Sequence, residues 1–170
     1  MNTYLISDTH FGHKLMVDKQ LRPFKSLTEM DEFMIYQWNK TVEADDLVYF
    51  LGDLSLGKNK TDIISKLNGH IIFIKGNHDA SSLSNILSLE IKYEGTTLLL
   101  THKPQHVDKF PHKFIIHGHI HENGKRDFIP VTGKTYANVN LEFHKYKPVL
   151  INELVGMIKN NKKAKWITRK

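Results

Sequence analysis

Asp8 and His10, Asp53, Asn77, His102, and His119 with His121 are the residues of this chain whose types and spacing could do chemistry. They offer carboxylate oxygens, an amide oxygen and imidazole nitrogens, and no sulfur. Such a mixed set suits Mn, Fe, Zn, Co or Ni better than Ca or Mg. In Asp8-Thr9-His10 the two donors are two residues apart where the chain leaves an extended segment, so both side chains face the same way. A carboxylate such as Asp53 has two oxygens and can bridge two cations. Taken singly, an Asp-x-His or a His-x-His pair is common without any metal, and Gly76-Asn77-His78-Asp79 also makes a good turn. A turn needs no histidine, however, and here every donor follows directly on an apolar run. The set is large enough to hold two metal ions.

Those runs are the elements that must position the donors. Thr3–Ser7 leads into Asp8, Leu47–Leu51 into Gly52-Asp53, Ile71–Lys75 into Gly76-Asn77, Thr97–Thr101 into His102, and Phe114–His117 into Gly118-His119. Short runs rich in Ile, Val, Leu and aromatics predict buried strands. In α/β sheets a ligand site lies beyond the carboxyl ends of such strands. Between them, Ser26-Leu27-Thr28-Glu29 forms a capping box for a helix with Met30, Phe33, Met34, Trp38 and Val42 on one face. Phe11–Lys25 reads as irregular. Thr61 caps a shorter helix that Asn68-Gly69 ends, and Ser81–Leu89 reads as helix. Glu94-Gly95 joins two strands as a hairpin, Tyr136–Phe143 reads as a further strand, and Asn152 caps a last helix from Glu153 to about Asn160. Strand and helix alternate early and strands dominate later, which predicts a sheet sandwich flanked by helices.

Asp8-x-His10, Gly52-Asp53, Gly76-Asn77-His78-Asp79, His102 and Gly118-His119-x-His121 together resemble the five motif blocks of the calcineurin-like metallophosphoesterases. Asp8-Thr9-His10-Phe11-Gly12-His13, Asn138-Val139-Asn140 and Tyr146-Lys147-Pro148-Val149 resemble a small, compact bacterial or phage branch of that superfamily. The resemblance implies an α/β fold, a four-layer α/β/β/α sandwich of two mixed β-sheets flanked by helices, and a binuclear metal centre. One cation would be held by Asp8, His10, Asp53 and His121. The other would be held by Asp53, Asn77, His102 and His119, with Asp53 shared. The expected cofactor is a pair of divalent ions, Mn2+ first, with Fe, Zn, Co or Ni as alternatives. The implied reaction is in-line hydrolysis of a phosphoester by metal-activated water, as a phosphodiesterase or a phosphatase. His78, beside a ligand but not one itself, is the expected general acid, since histidine changes protonation near neutral pH. Asp79 would orient the His78 ring. His13 would face the substrate, and Lys14 or Lys103 could meet a phosphate. His117 is expected as a packed or supporting residue, with His70, His106, His112 and His144 as surface or structural ones.

The 170 residues, 40% hydrophobic, provide one domain with a core, placed at residues 1–158. Lys159, Lys162, Lys163, Lys165, Arg169 and Lys170 carry six positive charges with no acid among them, equal to the whole net charge of +6. This stretch, residues 159–170, reads as a basic C-terminal tail, a solvated end or an attraction for nucleic acid. The absence of cysteine excludes disulfides, thiolate metal sites and cysteine nucleophiles. No apolar stretch approaches the ~18 residues that span a membrane and no secretory signal is visible, so a cytoplasmic protein without membrane partners is expected. Thr132-Gly133-Lys134-Thr135 resembles the end of a phosphate-binding loop, but Phe128 stands where its first glycine is needed. Two alternatives to a small-ester hydrolase remain: a nuclease cutting DNA or RNA backbones, and a metal-bound binding module without catalysis.

Overall fold

Apolar runs become strands in two four-stranded sheets of the computed structural model, which describes residues 1–56, 60–104, 114–121 and 135–159. In the first sheet, β1 (Thr3–Ile6), β2 (Leu47–Leu51) and β3 (His70–Ile74) run parallel in the order β3-β2-β1. A short β8 (Val149–Leu150) closes the β1 edge antiparallel. In the second sheet, β4 (Ser88–Tyr93) and β5 (Thr96–Thr101) form a hairpin. There β6 (Phe114–His117) lies parallel to β5, and β7 (Thr135–Asn138) parallel to β6. Both sheets are therefore mixed, as expected. The Glu94-Gly95 turn has φ of +46° and +71°, the pair of left-handed positions that a tight two-residue hairpin demands.

Successive strand residues face opposite sides, and the core divides accordingly. Leu5, Leu51 and Ile74 of the first sheet meet Leu98, Leu100, Ile116 and Ala137 of the second between the sheets. Ile151, Leu154 and Val155 of α4 (Ile151–Lys159) complete that layer. On the outer face of the first sheet, Tyr4, Ile6, Val48 and Phe50 pack against Met30, Met34, Trp38 and Val42. Met30, Met34 and Trp38 form the buried stripe of α2 (Leu27–Thr41). Ser26 Oγ accepts the Glu29 N–H at 3.1 Å, the expected N-cap. Glu29 reaches back to the N–H of Lys25 at 2.8 Å, one residue earlier than a capping box requires.

Several local expectations are revised. The stretch read as irregular contains a single helical turn, α1 (Leu15–Asp18), and the helix expected from a Thr61 cap to Asn68-Gly69 is only α3 (Lys60–Ile64), with Thr61 inside it. In place of a helix over Ser81–Leu89, residues 81–83 form a turn, 84–87 are irregular, and Ser88 and Leu89 already belong to β4. Ser84 Oγ donates to Phe73 O and accepts from Ile86 N–H, and Lys75 N–H donates to Ile86 O. The Ser84 side chain thus takes the Ile86 N–H, a local bond that competes with a helix. The strand expected over 136–143 stops at Asn138 and is followed by a 3-10 turn, Leu141–His144, whose Glu142 N–H is taken by Asn140 Oδ1 at 3.0 Å. Asn152 lies inside α4 and accepts from Tyr93 Oη instead of capping. Lys159, counted with the basic tail, ends α4 and donates to Glu94 O at 3.0 Å. The rest of the tail, His106, His112 and Thr132-Gly133-Lys134 lie outside the described residues. No helix among the described residues is long and apolar enough to cross a membrane.

Candidate metal centre

The loops leaving β1, β2, β3, β5 and β6 are laced together by their backbones. Asp8 N–H donates to Gly52 O at 2.9 Å, His10 N–H to Asp53 O at 3.0 Å, and Gly118 N–H to His102 O at 3.1 Å. Four of the candidate ligands occupy the left-handed region: Asp8 at φ +59°, His10 at +50°, Asp53 at +61° and His119 at +69°. Non-glycine residues pay for that conformation. Such strain persists where the surroundings impose it, and it gathers at functional sites. Close approach is imposed at Gly52, where φ is +90° and an added Cβ would lie 2.6 Å from His102 Nδ1.

This lacing brings together all seven expected donors. Asp8, His10 and His121 form one group and Asp53, His102 and His119 another, each with candidate ligand atoms within 4.8 Å of one another. In the first group His10 Nε2 and His121 Nε2 are 3.3 Å apart. Two nitrogens bound to one ion at ~2.1 Å would stand about 3.0–3.4 Å apart. Asp8 Oδ2 accepts from Ser7 Oγ at 2.5 Å and His119 N–H at 2.9 Å. Asp8 Oδ1 is buried without a hydrogen-bond partner and lies 3.7 Å from His121 Nε2. In the second group Asn77 Oδ1 lies 3.0 Å from His102 Nε2, and the His102 and His119 rings meet edge-on with centroids 5.1 Å apart. Asp53 joins the two. Its Oδ1 accepts the His78 backbone N–H at 2.8 Å, while its Oδ2 lies 3.3 Å from His102 Nε2 and 3.7 Å from His10 Nε2.

Two imidazoles have their tautomers fixed. His102 Nδ1 faces Leu51 O at 2.7 Å and His121 Nδ1 faces the Glu142 carboxylate at 2.8 Å. Both partners only accept, so each Nδ1 carries its proton and each Nε2 turns a lone pair to the centre. An orphaned buried carboxylate oxygen, facing nitrogens and directed lone pairs fit divalent cations.

Electrostatics point the same way. Burial pushes the Asp8 carboxyl above the usual carboxylate range, and burial with the nearby Arg22 charge lowers His10 to about 3. Burial also opposes a charge on His102 and His121. Carboxylates overcome it, Asp53 and Asp8 at His102, and Glu142 and Asp8 at His121, and raise both. Without metal, these two rings therefore keep a second proton to higher pH than ordinary histidine. A bound cation must expel those second protons. Binding is expected to release protons near neutral pH and to weaken as pH falls, which calorimetry in buffers of different ionisation enthalpy measures. Proton uptake on binding would contradict the assignment.

The remaining expected residues divide. His78 is exposed, with its ring centroid 5.5 Å from that of His10 and 6.4 Å from that of His13. His13 is half-buried beside them, its Nδ1 buried and without a hydrogen-bond partner. His117 is buried with Nδ1 donating to Gly118 O, and burial lowers it to about 4. His144 is a structural residue that bonds Asn138 O at 2.8 Å. Lys14, weighed as a phosphate contact, pairs with Asp18 on the surface at 3.8 Å.

Asp79, expected to orient His78, is used otherwise. It is 6% exposed, and its carboxylate accepts three backbone N–H groups: Asp53 at 2.7 Å, Leu54 at 3.0 Å and Gly76 at 2.8 Å. It ties the loop after β3 to the loop after β2. Asp79→Ala would leave these donors unpaired, at about 1–3 kcal/mol each. Urea unfolding of the metal-free protein is expected to show a loss of about 3 kcal/mol or more. A loss under ~1 kcal/mol would contradict this backbone role.

Two residues at the centre are not among the candidates named from the sequence. Arg22 is buried, its Nη2 donating to Asp8 O at 2.6 Å and its Nη1 to Thr9 O at 2.7 Å. Its Nε meets Glu142 Oε1 at 2.9 Å. Burial opposes the Glu142 charge, but His121 and Arg22 prevail and hold its carboxyl at about 2. The alternation Asn138, Asn140, Glu142 was the one available hint, since alternate residues of an extended segment share a face.

Comparison with known proteins adds four findings. Residues 1–139 match the family model described as the calcineurin-like phosphoesterase superfamily domain. An uncharacterized protein of Methanocaldococcus jannaschii is 38% identical over 172 residues, covering 96% of this chain and 95% of that one. The gene 66 protein of Mycobacterium phage L5 is 39% identical over 84 residues, 46% of this chain and 40% of that one. Among solved structures, a protein of unknown function from Aquifex aeolicus superposes with a TM-score of 0.76 at 25% identity, covering 92% of this chain and 98% of that one.

Proposed function

This chain belongs to the calcineurin-like phosphoesterase superfamily, and from that premise we propose that it hydrolyses phosphoesters with two divalent cations. Asp8, His10, Asp53 and His121 would hold one, and Asp53, Asn77, His102 and His119 the other. The observation that carries the reading is the position of Asp53 Oδ2, within 3.7 Å of a nitrogen in each group while Oδ1 is occupied by a backbone N–H. Mn2+ is the first cation to test, because the donors are oxygen and nitrogen without sulfur. Cations so held supply Lewis acidity towards phosphoryl oxygens and acidify water.

The chain's own residues do the rest. Asp53 holds the His78 N–H, which sets the His78 ring at the exposed rim above His10. From there His78 donates a proton to the departing oxygen. His13, across the same opening, presents a ring nitrogen to the phosphoryl group. Buried loops behind the donors keep their geometry while the exposed Asn77 and His78 leave the substrate side open. A phosphodiester or a phosphomonoester is the substrate class.

One panel tests the proposal. Metal-free protein reloaded with Mn, Fe, Zn, Co, Ni or Mg is assayed on aryl mono- and diesters, then on cyclic nucleotides and oligonucleotides. Metal-dependent turnover, highest with Mn2+, is expected. Protein that binds two ions and turns over none of these would instead be a binding module.

A further inference from the structure

The stretch Asn138-Val139-Asn140-Leu141-Glu142 runs beside the first metal loop and grips the last one. Ser7 N–H donates to Val139 O at 3.1 Å and Leu141 N–H to Ser7 O at 3.3 Å. Asn138 Nδ2 and Asn140 Nδ2 both donate to Ile120 O, at 2.8 and 3.4 Å. Ile120 is the residue between the two candidate ligands His119 and His121. Glu142 Oε1 then takes both His121 Nδ1–H at 2.8 Å and Arg22 Nε–H at 2.9 Å. Arg22 spends its other nitrogens on the carbonyls of Asp8 and Thr9. The side chains of Arg22 and Glu142 are 0% and 3% exposed. A buried ion pair adds little net stability over apolar packing, whereas this one fixes two loops at once. Glu142 also lies beyond the residues that match the family model.

We infer that Glu142, anchored by Arg22, is the positioning residue of the Asp8–His10–His121 cation site, setting the tautomer and direction of His121, with Asn138 and Asn140 holding the loop that carries it. The inference rests on the two-cation reading above and assigns this clamp to one site of the pair. The second group depends on a different acceptor, Leu51 O at His102, so the two sites respond separately.

The test is calorimetric titration of metal-free protein with Mn2+, alongside the Glu142→Gln variant. Glutamine retains the shape but loses the charge that accepts from both His121 and Arg22. One of two binding steps is expected to weaken about 10- to 100-fold, the usual effect of removing a ligand's hydrogen-bond partner, with the other step unchanged. In the metal-free wild type, His121 Nδ1–H should give a downfield proton resonance that the variant lacks. A second variant, Glu142→Asp, keeps the charge near Arg22 but withdraws the carboxylate by one methylene, and should weaken the same step. Two unchanged binding steps in both variants would overturn the inference, whatever happens to their melting temperatures. A wild type that never binds two ions would overturn the two-cation reading itself, and the inference with it.

Discussion

Asp53→Asn is expected to lower turnover by roughly 10³-fold or more and to weaken both cation sites together. The geometry leaves the amide no good orientation. With its oxygen on the His78 N–H, its NH2 group faces the gap between His10 Nε2 and His102 Nε2, where Asp53 Oδ2 now lies. Flipped, the His78 N–H loses its acceptor and a donor faces a donor. Either way the negative charge shared by the two groups is gone. Steady-state rates at saturating Mn2+, together with bound metal per chain, check the result. Wild-type turnover, or loss of one ion with the other held as before, would contradict a shared ligand.

His78→Ala is expected to behave in the opposite way towards metal. The contact of this residue with Asp53 is made by its backbone N–H, which alanine retains, so bound metal should stay at the wild-type level. The ring alone is lost. The rate should fall roughly 10²- to 10⁴-fold. The fall should be largest for esters with poor leaving groups, whose departing oxygen most needs a proton. A plot of log rate against leaving-group pKa should therefore be steeper for the variant. A drop in metal content would instead make His78 a ligand.

Much of this was legible in the chain because the signals are local. Each of the five donor loops follows a strand whose apolar run is itself a few residues long, and Glu94-Gly95 or Ser26 carries its turn or cap within four residues. Legibility failed where the partner is distant. Arg22 and Glu142 are separated by 120 positions, and neither looks different from a surface residue until β7 and the 3-10 turn lay Glu142 against the first loop. Asp79 beside His78 suggested a hydrogen bond between neighbours, but adjacent side chains diverge, and three backbone N–H groups from two loops claimed its carboxylate. Ser81–Leu89 misled for a related reason: Ser84 bonds Phe73 O of β3 and takes the Ile86 N–H, so the segment does not close into a helix.

The strained loops carry a physical implication for the site. Asp8, His10, Asp53 and His119 keep left-handed backbones because interloop hydrogen bonds and glycine contacts leave no alternative. The donors are thus arranged before any cation arrives, and little reorganisation is needed on binding.

The most direct test is an anomalous-difference map from crystals of the protein grown with Mn2+ and measured on both sides of the Mn absorption edge. Two peaks per chain are expected, astride Asp53 Oδ2, one among Asp8, His10 and His121 and the other among Asn77, His102 and His119. A single peak, or peaks that leave Asp53 uncoordinated, would contradict the shared two-cation centre.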